Sequence, residues 1–306
     1  MARNVKAVAV QRLGVLLLLL GIFSLNTFGQ ETIRIASYNL KNYLIMDRLV
    51  EGQWRKDYPK PEAEKSIIQK NILEVRPDIL VIQEIGGKGF LNELKEDLKE
   101  LGLDYSYSLL MKGEDPVRLT AVLSQLKPRY VKEHDDLGYR YFDQKHIVKR
   151  GMHEVGFMHE IPFTIFSVHL KSRYTSDKRD PLSAKWRLSE AESCRNRIIE
   201  RLDQTGMEHY IIAGDFNDNP NSAPLRRFYK KGKRSIGEHL MAKDSRGESW
   251  THFYNKEKVY SMVDGFVLSP NLMPFVKGGL ASILDSEDFY QGSDHRLIYF
   301  DLMTSK

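Results

Sequence analysis

The chain has 306 residues, a charged fraction of 28% and a formal net charge of +5 at pH 7. Its first 29 residues hold Arg3, Lys6 and Arg12 and no acid, so the remainder carries 43 Lys and Arg against 41 Asp and Glu. That near-balance excludes a globally basic surface that would by itself demand nucleic acid, and the single cysteine, Cys194, excludes an internal disulfide.

In chain order, the first feature is a basic start followed by the apolar run Leu13–Leu25, with five consecutive leucines from Leu16 to Leu20. A basic start, a short apolar core and small residues beyond it describe a secretory signal peptide. Thr27 and Gly29 suit the −3 and −1 positions of a cut before Gln30. The run falls short of the roughly 20 residues that span a bilayer, so cleavage is expected over an uncleaved anchor, and no nearby cysteine invites a lipid. Residues 1–29 are therefore read as a signal peptide and 30–306 as a single domain. The expectation is a secreted or periplasmic monomer with no stable membrane association after cleavage.

Beyond the signal, Ile33–Tyr38 reads as a strand. Glu62–Arg76 reads as a helix, with Ala63, Ile67, Ile68, Ile72 and Val75 on one face and Arg76-Pro77 ending it. Ile79–Gln83 is a short continuous apolar run, the mark of a strand buried on both sides. Phe90, Leu94, Leu98 and Leu101 set out a second helix. Strands are expected at Tyr105–Leu110, Leu119–Ser124, Glu154–Met158, Phe163–His169, Tyr210–Gly214, Val263–Ser269 and Leu297–Leu302, and a helix at Arg187–Gln204. Cys194 falls among Leu188, Ala191, Ile198 and Leu202 at helical spacing, so it reads as a packing residue, not a nucleophile. Strands and helices intermixed in this way predict an α/β layered fold.

The informative pattern is where polar residues interrupt these runs. Asn39, Glu84, His169 and the pair Asp215/Asn217 follow apolar strands directly, Asp294-His295 precedes the last one, and Asp264 opens another. Strands position their ends rigidly, and open α/β sheets place active sites beyond those ends. Each residue alone has an ordinary explanation, such as a cap, a first solvated position or a structural ion pair. Asp215-Phe-Asn-Asp-Asn219 invites a calcium-loop reading, but that loop needs Gly and Glu where Pro220 and Arg226 stand. Together the positions make a set rich in oxygen ligands with two histidines and no thiolate. Such donors favour Mg2+, with Mn2+ or Ca2+ as alternatives, over zinc.

At these residues the chain resembles the endonuclease/exonuclease/phosphatase family, whose deoxyribonuclease I-like fold is the expectation. The matching blocks are Ser37-Tyr-Asn-Leu40, Pro77-Asp-Ile-Leu-Val-Ile-Gln-Glu84, Val168-His-Leu170, Gly214-Asp-Phe-Asn217, Val263-Asp-Gly-Phe-Val-Leu-Ser269 and Ser293-Asp-His295, in the family's order. The resemblance implies a four-layered α/β/β/α sandwich with two mixed β-sheets and a metal-dependent phosphoesterase activity. It implies Glu84 as principal Mg2+ ligand helped by Asn39 and Asp294, and Asp264 as the residue that orients His295. Asp215 and Asn217 would position the attacking water and the scissile phosphate, and His169 would contact that phosphate.

The substrate side is less specific. Lys171-Ser-Arg-Tyr-Thr-Ser-Asp-Lys-Arg179 and Lys185-Trp-Arg187 leave the predicted site, so Lys171 and Arg173, with Arg150, are candidate phosphate-binding residues, and Tyr174 or Trp186 could stack on a base. Tyr229-Lys-Lys-Gly-Lys-Arg234 is a second basic run. A solvated surface explains such runs equally well. The leading expectation is a nuclease acting on DNA or RNA. A phosphomonoesterase or sphingomyelinase-like lipid phosphodiesterase is the alternative, although no exposed apolar loop suited to a membrane stands out, and a non-catalytic binding module is a third reading.

Overall fold

The computed structural model describes residues 32–304; the expected signal peptide, residues 1–29, lies outside them. Strands β1 (Thr32–Tyr43), β2 (Ile79–Ile85), β3 (Tyr107–Met111) and β4 (Leu119–Ser124) belong to a first sheet. Strands β5 (Pro128–His134), β6 (Met152–Phe157), β7 (Phe163–His169), β8 (Tyr210–Asp215) and β9 (Glu238–Leu240) enter a second. Short β10 (Ala242–Lys243) returns to the first sheet, β11 (Asp264–Leu268) to the second, and β12 (Ala281–Ile283) and β13 (Ile298–Met303) complete the first. The seven-stranded sheet has the order β10-β12-β13-β1-β2-β4-β3, the six-stranded sheet β9-β11-β8-β7-β6-β5.

Both sheets are mixed for the same reason. β1 and β2 run parallel, as do β7 and β8, while their other partners run antiparallel. A parallel neighbour needs a crossover, and helices α1 (Glu62–Val75) and α3 (Ala184–Thr205) supply the two. The ends of each parallel pair therefore open on one edge, where Asn39, Glu84, His169 and Asp215 fall.

Three apolar layers hold the stack together. Ile35, Val81 and Val122 of the first sheet meet Val155, Ile165 and Phe266 of the second between the sheets. Ile68 and Ile72 of α1, with Leu94 and Leu98 of α2 (Lys88–Glu100), cover the outer face of the first sheet. Ala191, Cys194 and Ile198 of α3, with Leu225 and Phe228 of α4 (Ala223–Tyr229), cover the second. This is the expected α/β/β/α sandwich. Cys194 is fully buried there, and burial pushes its thiol pKa up, which leaves it inert.

The expected strands and long helices are present, shifted by one to three residues at several ends, and β1 runs five residues beyond its expected end at Tyr38. Unforeseen are the edge strand β5, the short β9, β10 and β12, and four two-stranded hairpins. One of these, Met46–Val50 paired with Gln53–Tyr58, pairs Leu49 with Trp54, 61% and 75% exposed. The expectation that no exposed apolar loop accompanies the chain is corrected by this pair. A charge-rich hairpin stabilised by cross-strand pairs carries no apolar run for a sequence reading to detect.

Candidate active site

On the second sheet, His169, Asp215 and Asp264 are direct neighbours across three strands, His169 opposite Asp215 and Asp215 opposite Asp264. The Gly214-Asp-Phe-Asn217 segment explains itself residue by residue. Gly214 has φ +142°, and any Cβ there would overlap the Val168 carbonyl oxygen on β7. Phe216 is buried in the helix-side core. Asn217 turns back with φ 54°, so its backbone N–H donates to Asp215 Oδ1 at 2.7 Å and its amide donates to Asp215 Oδ2 at 3.1 Å and to the Leu170 carbonyl at 2.9 Å. Asp215 is thus fixed by its own loop. A third donor crosses between the sheets, Asn39 Nδ2 to Asp215 Oδ2 at 3.0 Å.

On the first sheet, β1 bends sharply after Asn39. Lys41 and Asn42 both take left-handed φ values of 47° and 57°, a conformation that costs energy in residues other than glycine. Lys41 N–H donates to Asn39 Oδ1 and Asn42 N–H to Glu84 Oε2, each at 3.0 Å. Lys60, whose side chain is fully buried, donates to the Lys41 carbonyl, Arg48 to the Asn42 carbonyl, and Arg118 Nε to Asn42 Oδ1. The bend holds one oxygen of Glu84 and leaves Oε1 facing His169 Nε2 at 3.9 Å. His169 Nε2 also lies 3.6 Å from Asp215 Oδ2, so Glu84, His169 and Asp215 converge from both sheets.

The last segment closes the site. Ser293 Oγ donates to the Asn39 carbonyl at 2.7 Å and accepts from His295 N–H at 3.1 Å, pinning the Ser-Asp-His turn to β1. His295 Nδ1 donates to Asp264 Oδ2 at 2.8 Å. Burial would push the His295 pKa down, but the Asp264 carboxylate more than offsets it and lifts the ring to about 10, so His295 is charged at neutral pH. Asp215 is pushed up by burial and by the neighbouring Asp264 charge. His169 is held well below its usual range by burial, with Arg150 and His295 adding to the effect, so it is neutral. Asp294 Oδ1 lies 4.0 Å from His295 Nε2, and Asp294 Oδ2 lies 3.9 Å from His252 Nε2.

Whether these residues suit a divalent cation is answered by their unmet donors and acceptors. Asp264 Oδ1 and His169 Nδ1 are buried without a partner among the described residues. Glu84 Oε1 lies 3.9 Å from His169 Nε2, too far for a hydrogen bond to that nitrogen. Asp215 and Asp264 place ligand atoms within 4.8 Å of one another, as do His252 and Asp294, and the charged His295 stands within the same distance of both pairs without a lone pair to offer. Buried carboxylates that outnumber their cations are costly unless a further cation joins them, and the oxygen-rich donor set fits Mg2+. Asn39, by contrast, already commits both ends of its amide to protein partners.

The outer candidates divide. Arg150 is buried, lies 3.5 Å from Asp115, and leaves Nε and Nη1 without a hydrogen-bond partner, while its charge reaches His169. Lys171 follows the His169 strand, and its ammonium contacts the Ser172 and Tyr174 carbonyls. Burial, then Arg150, lowers the Lys171 pKa to about 8. Arg173 is exposed and lies 3.8 Å from Asp218. Arg187 departs from the sequence expectation, because it is buried and bonds Asp218 and the Lys171 and Leu182 carbonyls. Trp186 packs on Tyr141 and His146 at 4.7 and 5.3 Å, while Tyr174 is 85% exposed. The Tyr229–Arg234 run lies by the start of β8, where Arg234 pairs with Asp203, at the end of the strand opposite Asp215. A cleft of about 540 Å3 under Arg129 and Thr164 opens at that far end too, apart from the site.

Sequence reasoning missed His252, whose ring packs against His295 with centroids 4.7 Å apart and planes tilted by 47°, and Thr251, whose Oγ1 accepts from Val263 and Asp264 N–H. Thr251 precedes and His252 opens a hairpin whose three-residue strands are too short to show periodicity, so only their position in the fold marks them.

A two-sheet sandwich with carboxylates, amides and an Asp-oriented histidine converging at its strand ends defines a phosphoester hydrolase class. The chain belongs to the Endonuclease/Exonuclease/phosphatase family, whose profile matches residues 24–295. Members hydrolyse phosphate esters and typically depend on a divalent metal. Among solved structures, the chain is similar to the human Nocturnin catalytic domain with bound sulfate, at 17% identity and a TM-score of 0.62, over 90% of this chain and 96% of that one. It is also similar to a family protein from Bacteroides vulgatus (14% identity, TM-score 0.61, 90% and 100% covered). Truncated Caenorhabditis elegans TDP2 is a further neighbour (12%, 0.58, 89% and 97%). At these identities the likeness concerns the fold. A search of curated proteins returns no match.

Proposed function

We propose that the chain is an exported, Mg2+-dependent phosphodiesterase that acts on nucleic acid. The observation that carries this reading is the convergence of Glu84, His169 and Asp215 on the buried Asp264–His295 pair, drawn from both sheets. Glu84 and Asp294 would hold the metal with help from the Asn39 region, and the ion would neutralise charge on the phosphate and the departing oxygen. His295, kept charged by Asp264, is suited to stabilise negative charge on a phosphate oxygen. Neutral His169 and the partnerless N–H groups of Arg150 offer further contacts to that phosphate. Asp215, held by three donors, is placed to orient the attacking water. Export is supported by the Leu13–Leu25 run.

Bis-p-nitrophenyl phosphate with Mg2+, with and without EDTA, tests the chemistry, and Glu84→Gln should abolish the metal-dependent turnover. Plasmid DNA, RNA, a phosphomonoester and sphingomyelin compared side by side test the substrate. Preferential release of phosphate from the monoester would overturn the nuclease reading. The exposed Leu49–Trp54 pair favours a second reading, a lipid phosphodiesterase, which faster turnover of sphingomyelin would support.

A further inference from the structure

Lys60 is a buried cation that the chemistry described so far does not use. It stands between Pro59 and Pro61, just ahead of α1, and a following proline confines its backbone to extended conformations. Its side chain is fully buried, with the partly exposed Glu64 of α1 3.1 Å away, and burial lowers its pKa to about 8. An ammonium so far from water needs partners. Besides Glu64, Lys60 Nζ donates to the Lys41 carbonyl on β1 at 3.0 Å. A lysine kept only to fasten the start of α1 would need Glu64 alone.

The Lys41 carbonyl and the Asn42 N–H are the two ends of one peptide unit. That N–H donates to Glu84 Oε2 at 3.0 Å, so a single peptide stands between the buried ammonium and the Glu84 carboxylate. The arrangement is held against backbone strain. Asn42 has φ 57°, and Glu84 itself takes φ 60° where β2 slips register against β1 and β4. Left-handed backbone costs energy in both residues. Turning the 41–42 peptide over would return Asn42 to a negative φ and swing its N–H away from Glu84. The ammonium opposes that turn by fixing the carbonyl, and it polarises the peptide toward a stronger bond to the carboxylate. Arg48 holds the Asn42 carbonyl and Arg118 the Asn42 side chain, whereas Lys60 holds the peptide that reaches Glu84.

We infer that Lys60 is a positioning residue for Glu84, acting through the Lys41–Asn42 peptide, a role that rests on the reading of Glu84 as a metal ligand. With Oε2 held by the peptide, Oε1 keeps one direction, and an arriving cation meets a carboxylate already oriented. Lys60 touches neither the cation nor the substrate in this role.

The test is binding of Mg2+ alone to the metal-free chain by isothermal titration calorimetry, which returns affinity and the number of competent sites separately. Lys60→Met keeps the bulk of the buried stem and removes the donor. It should weaken Mg2+ binding roughly 10- to 100-fold, the usual worth of a group that orients a metal ligand, at an unchanged number of sites. Unchanged affinity overturns the positioning role, and so does a fall in the number of sites at unchanged affinity, the mark of a residue needed only for folding. Should Lys60→Met yield no folded protein, amide hydrogen exchange of the metal-free wild-type chain decides. An Asn42 N–H protected from exchange supports the role, and one that exchanges as fast as an exposed loop overturns it. Wild-type chain that binds no Mg2+ is a separate result, which overturns the metal reading of Glu84 and the role of Lys60 with it.

Discussion

His295 is the residue whose state depends most on a single partner. Its charge at neutral pH comes from Asp264, which is distant in sequence, buried, and itself positioned by the Thr251 hydroxyl. Removing the imidazole while keeping a polar side chain should lower activity and leave the fold in place. For His295→Gln we expect a loss of roughly 10²- to 10⁴-fold in kcat, the usual worth of one acid–base or charge-stabilising group, with an unchanged far-UV circular dichroism spectrum. Retention of full activity would remove His295 from the reaction. Arg187 shows the opposite lesson at this scale. In sequence it looks like part of a basic run, yet in the fold it is a buried brace on Asp218 and the Lys171 carbonyl.

At the scale of elements, Glu154 links three of them. It sits on β6, accepts from Arg201 of α3 at 2.7 and 3.0 Å, and lies 2.9 Å from His134 Nε2 on β5. Burial would push its carboxyl up, but the His134 and Arg201 hydrogen bonds outweigh it and bring the pKa from an ordinary 4.5 to about 2. A depressed folded value means that the stabilisation is complete above about pH 4.5 and is lost as the pH falls through about 2. Glu154→Gln should therefore destabilise the protein by about 3 kcal/mol at pH 7 in urea unfolding, as breaking a buried ion pair does. The gap from wild type should narrow between pH 4.5 and 2; a constant gap would show that the carboxylate charge is not what matters.

At the scale of the whole molecule, the site draws Glu84 from one sheet and Asp215 and Asp264 from the other. A cation held by Glu84 and Asp294 there would offset the charge of carboxylates gathered from both layers. Mg2+ at a hundredfold excess over its Kd should raise stability by about 2.7 kcal/mol, roughly 5–10 °C in Tm for a domain of this size. Thermal melts titrated with Mg2+ would show this shift, and Glu84→Gln should reduce it. Identical melts in Mg2+ and in EDTA would contradict a metal held by these residues.

The apolar runs at Ile79–Gln83, Phe163–His169 and Tyr210–Gly214 were sufficient to place the central strands, because a strand buried on both faces must be apolar throughout. The same logic made Glu84, His169 and Asp215 stand out, since a polar residue directly after such a run sits at a strand end. What the sequence alone determined, then, was the layered architecture and the short list of candidate site residues. Only the tertiary structure decided which of them touch: that His169, Asp215 and Asp264 share one register level, and that the His252 ring packs against His295. Those contacts join segments far apart in the chain, through a short hairpin and turns whose conformation depends on their neighbours, and no local pattern records them.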